Sequence, residues 1–382
     1  EGWAYEFYDK NERNRANLSQ EIRLSIGSII LGGYFKHLKE QDEATGYLFG
    51  GIATDAWSAY DFITMAGYTQ YEHDLSPTLK LKANVRFEQN TMDYEGTSEG
   101  LNENWEKVVL PPVEFKVEHS MLGYRGSIHY LKDEFTSFYG SVSQGYKSGG
   151  VNQQPYLSDA SRPFDPEFIQ NFEVGLKRAT NIYRTQLSAF FSKRKDQQVS
   201  ISSQQDKENP NSFLFYTANA GSGSIQGFEW ETNYQILSRI SLNTSLGYLD
   251  TWIDKFTYQE NSEMEGYGGD REAAMSPKVT GSFGVHFKNI SGFFVLVQMS
   301  FKDEYYFSDS HNQKSKPYTL LNMNIGKSFG KTMVKLWIRN ALDERYTTRG
   351  FYFGLIPPTY PDQLWKSYGD PKQIGVTIDY TF

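Results

Sequence analysis

The sequence predicts an all-β fold, a transmembrane antiparallel up-and-down β-barrel, and three observations predict it. The first is a period of two. At the end of the chain Val376, Ile378, Tyr380 and Phe382 share one face, while Gly375, Thr377, Asp379 and Thr381 share the other. Such alternation describes a strand with lipid on one side and water on the other. The second is composition. The 382 residues include 27 Tyr, 27 Phe, 7 Trp and 33 Gly, yet mean hydropathy is −0.59. No stretch approaches the roughly 18 apolar residues of a membrane-spanning helix, and aromatic girdles on alternating strands produce this balance. The third is turn spacing: short breaks alternate with long polar connections, the asymmetry of bacterial barrels.

The elements follow from these signals. Strands are expected at about 17–27, 29–39, 57–73, 78–91, 114–131, 135–150, 167–180, 182–202, 213–236, 240–258, 275–288, 292–306, 317–328, 332–348 and 369–382. Short turns fall near Gly27, Pro77, Asp133, Asn181, Ser238, Ile290 and Gly330; long connections are expected at 41–56, 92–112, 151–166, 203–212, 259–274, 307–316 and 349–368. Many strands exceed the ten or so residues that cross a bilayer, so they are expected to project above it.

The faces are chemically distinct. Leu79, Leu81, Ala83, Val85 and Phe87 oppose Lys80, Lys82, Asn84, Arg86 and Glu88; Phe293, Val295, Val297, Met299 and Phe301 oppose Gln298, Ser300 and Lys302. Charges at successive inward positions are costly in the dry core of a soluble β-sandwich or propeller and cost little in a wet lumen, which favours the barrel. About fifteen strands is an odd number, whereas bacterial single-chain barrels close with even counts. With residues 1–10 reading as the end of an outer loop, the chain is expected to begin in mid-barrel.

Other classes are disfavoured. A net charge of −8 and a pI near 5.4 argue against nucleic acid as partner. There is no Cys, and the histidines (His37, His73, His119, His129, His286, His311) lack metal-ligand spacing, so neither cofactor nor metal is expected. No His accompanies a nucleophile motif, so catalysis is not expected.

Five segments carry a family resemblance. They are Leu18-Ser-Gln-Glu-Ile-Arg-Leu-Ser25; Ser143-Gln-Gly-Tyr-Lys-Ser-Gly-Gly-Val-Asn152 with Phe164-Asp-Pro-Glu167 and Phe172-Glu-Val-Gly-Leu-Lys177; Thr217-Ala-Asn-Ala-Gly221 with Ile225-Gln-Gly-Phe-Glu-Trp-Glu231; Arg339-Asn-Ala-Leu-Asp-Glu-Arg-Tyr346; and Tyr368 to Phe382. In this order they resemble the C-terminal part of a TonB-dependent outer-membrane receptor of the iron-complex or siderophore type. Independently of that resemblance, the glycines of 145–150 are expected to supply positive φ where a strand enters a loop. Glu173 and Lys177 are expected to network in the lumen, and Asn340 and Asp343 to organise a bend through side-chain to backbone bonds.

The resemblance implies a 22-stranded barrel in the Gram-negative outer membrane, occluded by an N-terminal plug that this sequence lacks. Residues 1–382 would then be a partial barrel domain without plug or first strands. It further implies import of a scarce ligand such as a ferric siderophore, driven through TonB, and insertion by the outer-membrane assembly machinery with Tyr380 and Phe382 in its signal. A carbohydrate or cobalamin transporter and a general diffusion porin are the alternatives. Ligand candidates are loop aromatics, cations and amides: Trp57, Tyr60, Trp105, Asn152, Gln153, Tyr156, Arg162, Arg271, Arg349, Tyr352, Tyr360 and Trp365. Arginines beside aromatic walls would suit a ferric catecholate or hydroxamate; the competing role for the Trp and Tyr residues is the interfacial girdle.

Overall fold

The computed structural model describes residues 8–48, 53–102, 106–153, 157–204, 213–259, 265–289, 291–309, 311–356 and 358–382. Its wall strands are β1 (Asp9–Ile26), β2 (Ile29–Leu48), β3 (Ala53–Ser76), β4 (Leu79–Leu101), β5 (Val113–Leu131), β6 (Thr136–Lys147), β7 (Glu167–Ala179) and β8 (Tyr183–Lys195). They continue as β9 (Ser222–Leu237), β10 (Ile240–Ile253), β11 (Val279–Lys288), β12 (Phe293–Lys302), β13 (Tyr318–Phe329), β14 (Thr332–Arg339) and β15 (Gln373–Tyr380). Each pairs with the next in chain order, all antiparallel, in one curved sheet; a short strand, Lys107–Val109, pairs with β4 off that path. Among the described residues the outer edges of β1 and β15 are unpaired, so this sheet is not closed. The fifteen-strand path matches the count expected from sequence.

Register sorts the two faces as the alternation requires. Leu24 lies opposite Leu31, Leu31 opposite Thr69 and Phe35 opposite Met65 on the outer face; Tyr68 lies opposite Arg86 and Glu173 opposite Ser141 on the inner one. Outward side chains such as Ile22, Phe87, Val174, Val376 and Ile378 are half or more exposed, which in this class of protein is a lipid-facing surface. Near the short turns the outer face carries aromatic cross-strand pairs, Tyr130 with Phe138 and Tyr183 with Tyr234, at 6.5 and 5.9 Å between ring centroids. These form the girdle at the short-turn end. Tyr380 and Phe382 join it in an edge-on pair at 5.3 Å.

Inward charges are networked, not buried bare. Lys80 and Lys82 both reach Glu72, and Arg86 binds Glu88 at 2.6 Å. The Tyr139 hydroxyl donates to Glu173 at 2.6 Å while Lys177 stands 5.4 Å from the same ring. The expected lumenal pairing of Glu173 and Lys177 is therefore made through a tyrosine.

The short turns follow simple chemistry. Two-residue turns join Ile26 to Ile29 and Phe329 to Thr332, with Gly27 and Gly330 at φ of 56° and 59°, where a Cβ would be strained. The Asn289 carboxamide oxygen accepts from the Ser291 and Phe293 backbone N–H groups and closes its own turn.

The long side departs from expectation in four ways. First, β1 to β4 run further than the hydrophobic pattern reaches. Residues 9–16 pair with 39–46, and the connections placed at 41–56 and 92–112 are strand up to Leu48 and Leu101. Above the bilayer both faces meet water, so pairing persists through cross-strand ion pairs such as Arg13–Asp42 and Arg15–Glu40 without an apolar stripe. Second, the continuous strands expected at 182–202 and 213–236 break at Asp196, whose φ is 54°, and at Ala220 and Gly221. Gln198–Gln204 and Phe213–Asn219 form a separate hairpin. Third, 240–258 and 332–348 end early. The chain continues in Phe256–Gln259 with Glu265–Gly268, and in Thr347–Gly354 with Asp362–Tyr368. Fourth, none of Gly145, Gly149 and Gly150 has positive φ. What 149 and 150 need is space: a Cβ at Gly149 would stand 2.3 Å from the Phe164 carbonyl oxygen, and one at Gly150 would stand 2.7 Å from the Phe164 ring.

The outer loops have a core of their own. Leu157, Val199, Ile201, Tyr216, Ile253 and Phe256 are buried together, so the loop after β6, the Gln198–Gln204/Phe213–Asn219 hairpin and the end of β10 meet through these residues above the wall.

Candidate functional site

The cavity that concentrates the expected ligand residues lies at the loop end of β2 to β5, on the lumenal side. Its volume is about 490 Å³, within the range of small-ligand sites. Ser58, Tyr94 and Asp42 contribute from the wall, residues 110–113 (Leu, Pro, Pro, Val) and Phe115 form an apolar side, and Gln153, Asp159 and Arg162 come from the loop after β6. The Pro111-Pro112 pair fixes φ along that side and brings no backbone N–H to be satisfied. Trp57 also borders the cavity.

Several polar groups in and beside the cavity are held in place. The Arg13 guanidinium forks onto Asp42, at 2.6 Å from Nε to Oδ1 and 3.1 Å from Nη2 to Oδ2. Arg15 binds Glu40 beside it. Fork geometry of this kind fixes both side chains. Arg162 is almost wholly buried, and its Nε lies 3.4 Å from Asp159. The Tyr60 and Tyr94 rings meet at 4.8 Å, tilted by 46°. Burial raises the Tyr60 phenol, reinforced by neighbouring Tyr94, so the group stays protonated and can donate to the Val151 carbonyl at 3.5 Å. Asn152 is a clamp. Its amide donates to the Ser161 and Thr217 carbonyls, at 3.1 and 2.8 Å, and its oxygen accepts from the Thr217 N–H. That role ties the cavity's loop to the neighbouring hairpin.

The other candidates lie elsewhere. Arg271 donates to the His311 carbonyl and the Asn312 side chain, both at 2.7 Å, and to the Ser308 carbonyl at 2.5 Å; its guanidinium lies 4.3 Å from the Tyr306 ring centroid. Burial lowers the Arg271 and His311 pKa values. Arg271 thus pins two loops together, and His311 brings the third by lying 6.0 Å from Tyr352. Arg349, Tyr352 and Trp365 belong to the Thr347–Gly354/Asp362–Tyr368 hairpin, where the Trp365 indole donates to the Phe353 carbonyl at 3.2 Å. Tyr360, at φ 41°, turns the same segment. Trp105 and Tyr156 lie outside the described residues. By register Trp57 shares the outer face of β3 with Met65 and lies opposite Thr97.

A meandering antiparallel wall with a networked lumen and packed outer loops is the architecture of a sector of a receptor barrel. The family model described as TonB dependent receptor-like, beta-barrel matches residues 3–341. The chain belongs to that family. Members of this family are outer-membrane β-barrels. The pesticin receptor of Yersinia pestis is 22% identical over 240 residues, 62% of this chain and 33% of that protein. Among solved structures, the ferric yersiniabactin uptake receptor of Yersinia pestis superposes with a TM-score of 0.76 at 16% identity, over 98% of this chain and 55% of that one. The siderophore receptor PiuA of Acinetobacter baumannii gives 0.69 at 14% identity, over 97% and 56%. This TonB-dependent receptor barrel therefore spans about half the length of those two solved structures and a third of the pesticin receptor.

Sequence reasoning missed the wall residues of the cavity, Asp42, Tyr94 and Phe115, together with Arg13, which orders Asp42. The available signal was charge pairing across a two-residue turn: Arg13 and Arg15 mirror Asp42 and Glu40 about Gly27-Ser28. Recognising it required strands longer than the apolar stripe suggests.

Proposed function

We propose that the chain supplies the C-terminal wall, outer loops and last strand of a longer TonB-dependent receptor that imports a ferric siderophore or similar iron complex. The supporting observation is the cavity of about 490 Å³ at the loop end of the wall, lined by aromatic, apolar and hydrogen-bonding groups. The unpaired edges of β1 and β15 fit a barrel completed by further strands, and the names of the matched relatives point to iron-complex ligands. In this reading ligand settles between the outer loops and a plug. TonB, drawing on the inner-membrane proton gradient, then rearranges the plug to let it pass. The wall and loops bind and orient, and Tyr380 and Phe382 take part in recognition by the assembly machinery.

Equilibrium titration of the receptor, purified from its natural reading frame, tests the ligand class. Ferric siderophores are expected to bind, and Arg162→Ala to weaken them about tenfold by releasing the loop over the cavity. Binding of cobalamin or a maltodextrin with no response to any iron complex would replace this reading with one of the two alternatives.

A further inference from the structure

The charge around the cavity selects among iron complexes, an inference that rests on the proposed function. Among the described residues bordering it there are three carboxylates, Asp42, Glu114 and Asp159, and one arginine, Arg162. That arginine lies against Asp159 at 3.4 Å. The adjacent guanidinium, Arg13, is already forked onto Asp42, and Arg15 next to it binds Glu40. Farther along the loop end, Lys107 pairs with Glu99 and stands 3.8 Å from Asp55. Arg13, Arg15 and Lys107 are therefore each matched by a close carboxylate, and Arg162 faces the solvent-exposed carboxylate of Asp159.

Ligands answer this arrangement differently. A ferric ion held by three catecholates, each doubly deprotonated, is a trianion. The same ion held by three hydroxamates, each singly deprotonated, is neutral. A trianion entering the cavity would lose water against carboxylates at close range and would have to draw the arginines from their partners. A neutral complex meets no such opposition. It can lay its periphery against Phe115 and the proline side, and direct its hydrogen-bonding groups at Ser58 and Gln153.

We infer that this receptor takes iron complexes that are neutral or cationic at the face entering the cavity, with ion-paired Asp42 and Asp159 acting as specificity determinants against polyanions. Arg271, a loop arginine that looks suited to anion capture, is held by its neighbouring loop instead.

The test is competition on the complete receptor between a neutral ferric tris-hydroxamate and a trianionic ferric tris-catecholate of similar size. The neutral complex is expected to bind at least about tenfold tighter, with the gap narrowing as salt rises. The double variant Asp42→Asn/Asp159→Asn, checked for its heat-modifiable folded form, is expected to close most of the gap by improving trianion binding. Equal or tighter trianion binding by the natural receptor overturns this inference and leaves the iron-complex reading standing. Binding of neither complex, with binding of cobalamin or a saccharide, overturns both.

Discussion

Gly227→Ala is expected to abolish most of the folded barrel. Gly227 lies on the lumenal face of β9, opposite Leu249 of β10. A Cβ there would stand 2.2 Å from the Tyr248 carbonyl oxygen and 3.0 Å from the Phe190 ring. A ring tip can swing into a wet lumen, but a ladder carbonyl can move only by disrupting the pairing of β9 with β10. Overpacking usually costs about 1–3 kcal/mol, and a backbone neighbour puts this site at or above the upper end. Gly67→Ala is the matched control: β3 offers open space there, with nothing within 4 Å. The comparison is read as heat-modifiable folded protein in the outer membrane. Most should be lost for Gly227→Ala, and none for Gly67→Ala. Equal yields would show that the strand spacing at Gly227 is looser than described.

Asn340→Ala is expected to release the segment between β14 and β15. Asn340 is buried at a φ of 45°, a conformation that costs an ordinary L-residue about 1–2 kcal/mol and that Asn tolerates. Its amide nitrogen donates to the Glu344 carbonyl at 2.9 Å and the Asp370 carbonyl at 3.0 Å, and its oxygen accepts from the Glu344 N–H at 2.9 Å. The Asp343 carboxylate completes the bend by accepting from the Lys372 N–H at 2.9 Å. Alanine removes three bonds, each worth about 1 kcal/mol; with the strain, the loss is about 4 kcal/mol. Asn340→Gly restores the conformation but not the bonds, so it should fall between. Limited proteolysis reports the outcome as cleavage within 340–372, strongest for Ala, intermediate for Gly and slow in the natural protein. Identical cleavage of all three would mean that the bend is held by something other than Asn340.

What was legible in the sequence follows the physics of two solvents. Between the short turns and the middle of each strand, lipid on one face and water on the other imposes a period of two. The outward set Val376, Ile378 and Tyr380 and the fifteen-strand path were therefore readable residue by residue. Above the bilayer that contrast vanishes. β1 and β2 continue to Asp9 and Leu48 on backbone pairing and ion pairs, which no hydropathy pattern marks. Breaks such as Asp196 depend on one positive φ inside a run that otherwise reads as strand. The bend at Asn340 was legible because Asn and Asp carry their own backbone chemistry. The cavity was half legible. Trp57, Gln153 and Arg162 were named by residue type, but their meeting with Asp42, Tyr94 and Phe115 depends on how the loop after β6 folds back over the wall. Arg271 shows the limit of that approach: a loop arginine beside an aromatic can be a structural pin.

The central claim is that this wall belongs to an energised importer of iron complexes. Uptake of a radioiron-loaded siderophore by cells expressing the natural gene, with and without a protonophore, tests it most directly. The account predicts that surface binding persists under the protonophore while accumulation stops. Accumulation that continues undiminished without a proton gradient would contradict it and identify the barrel as an open diffusion pore.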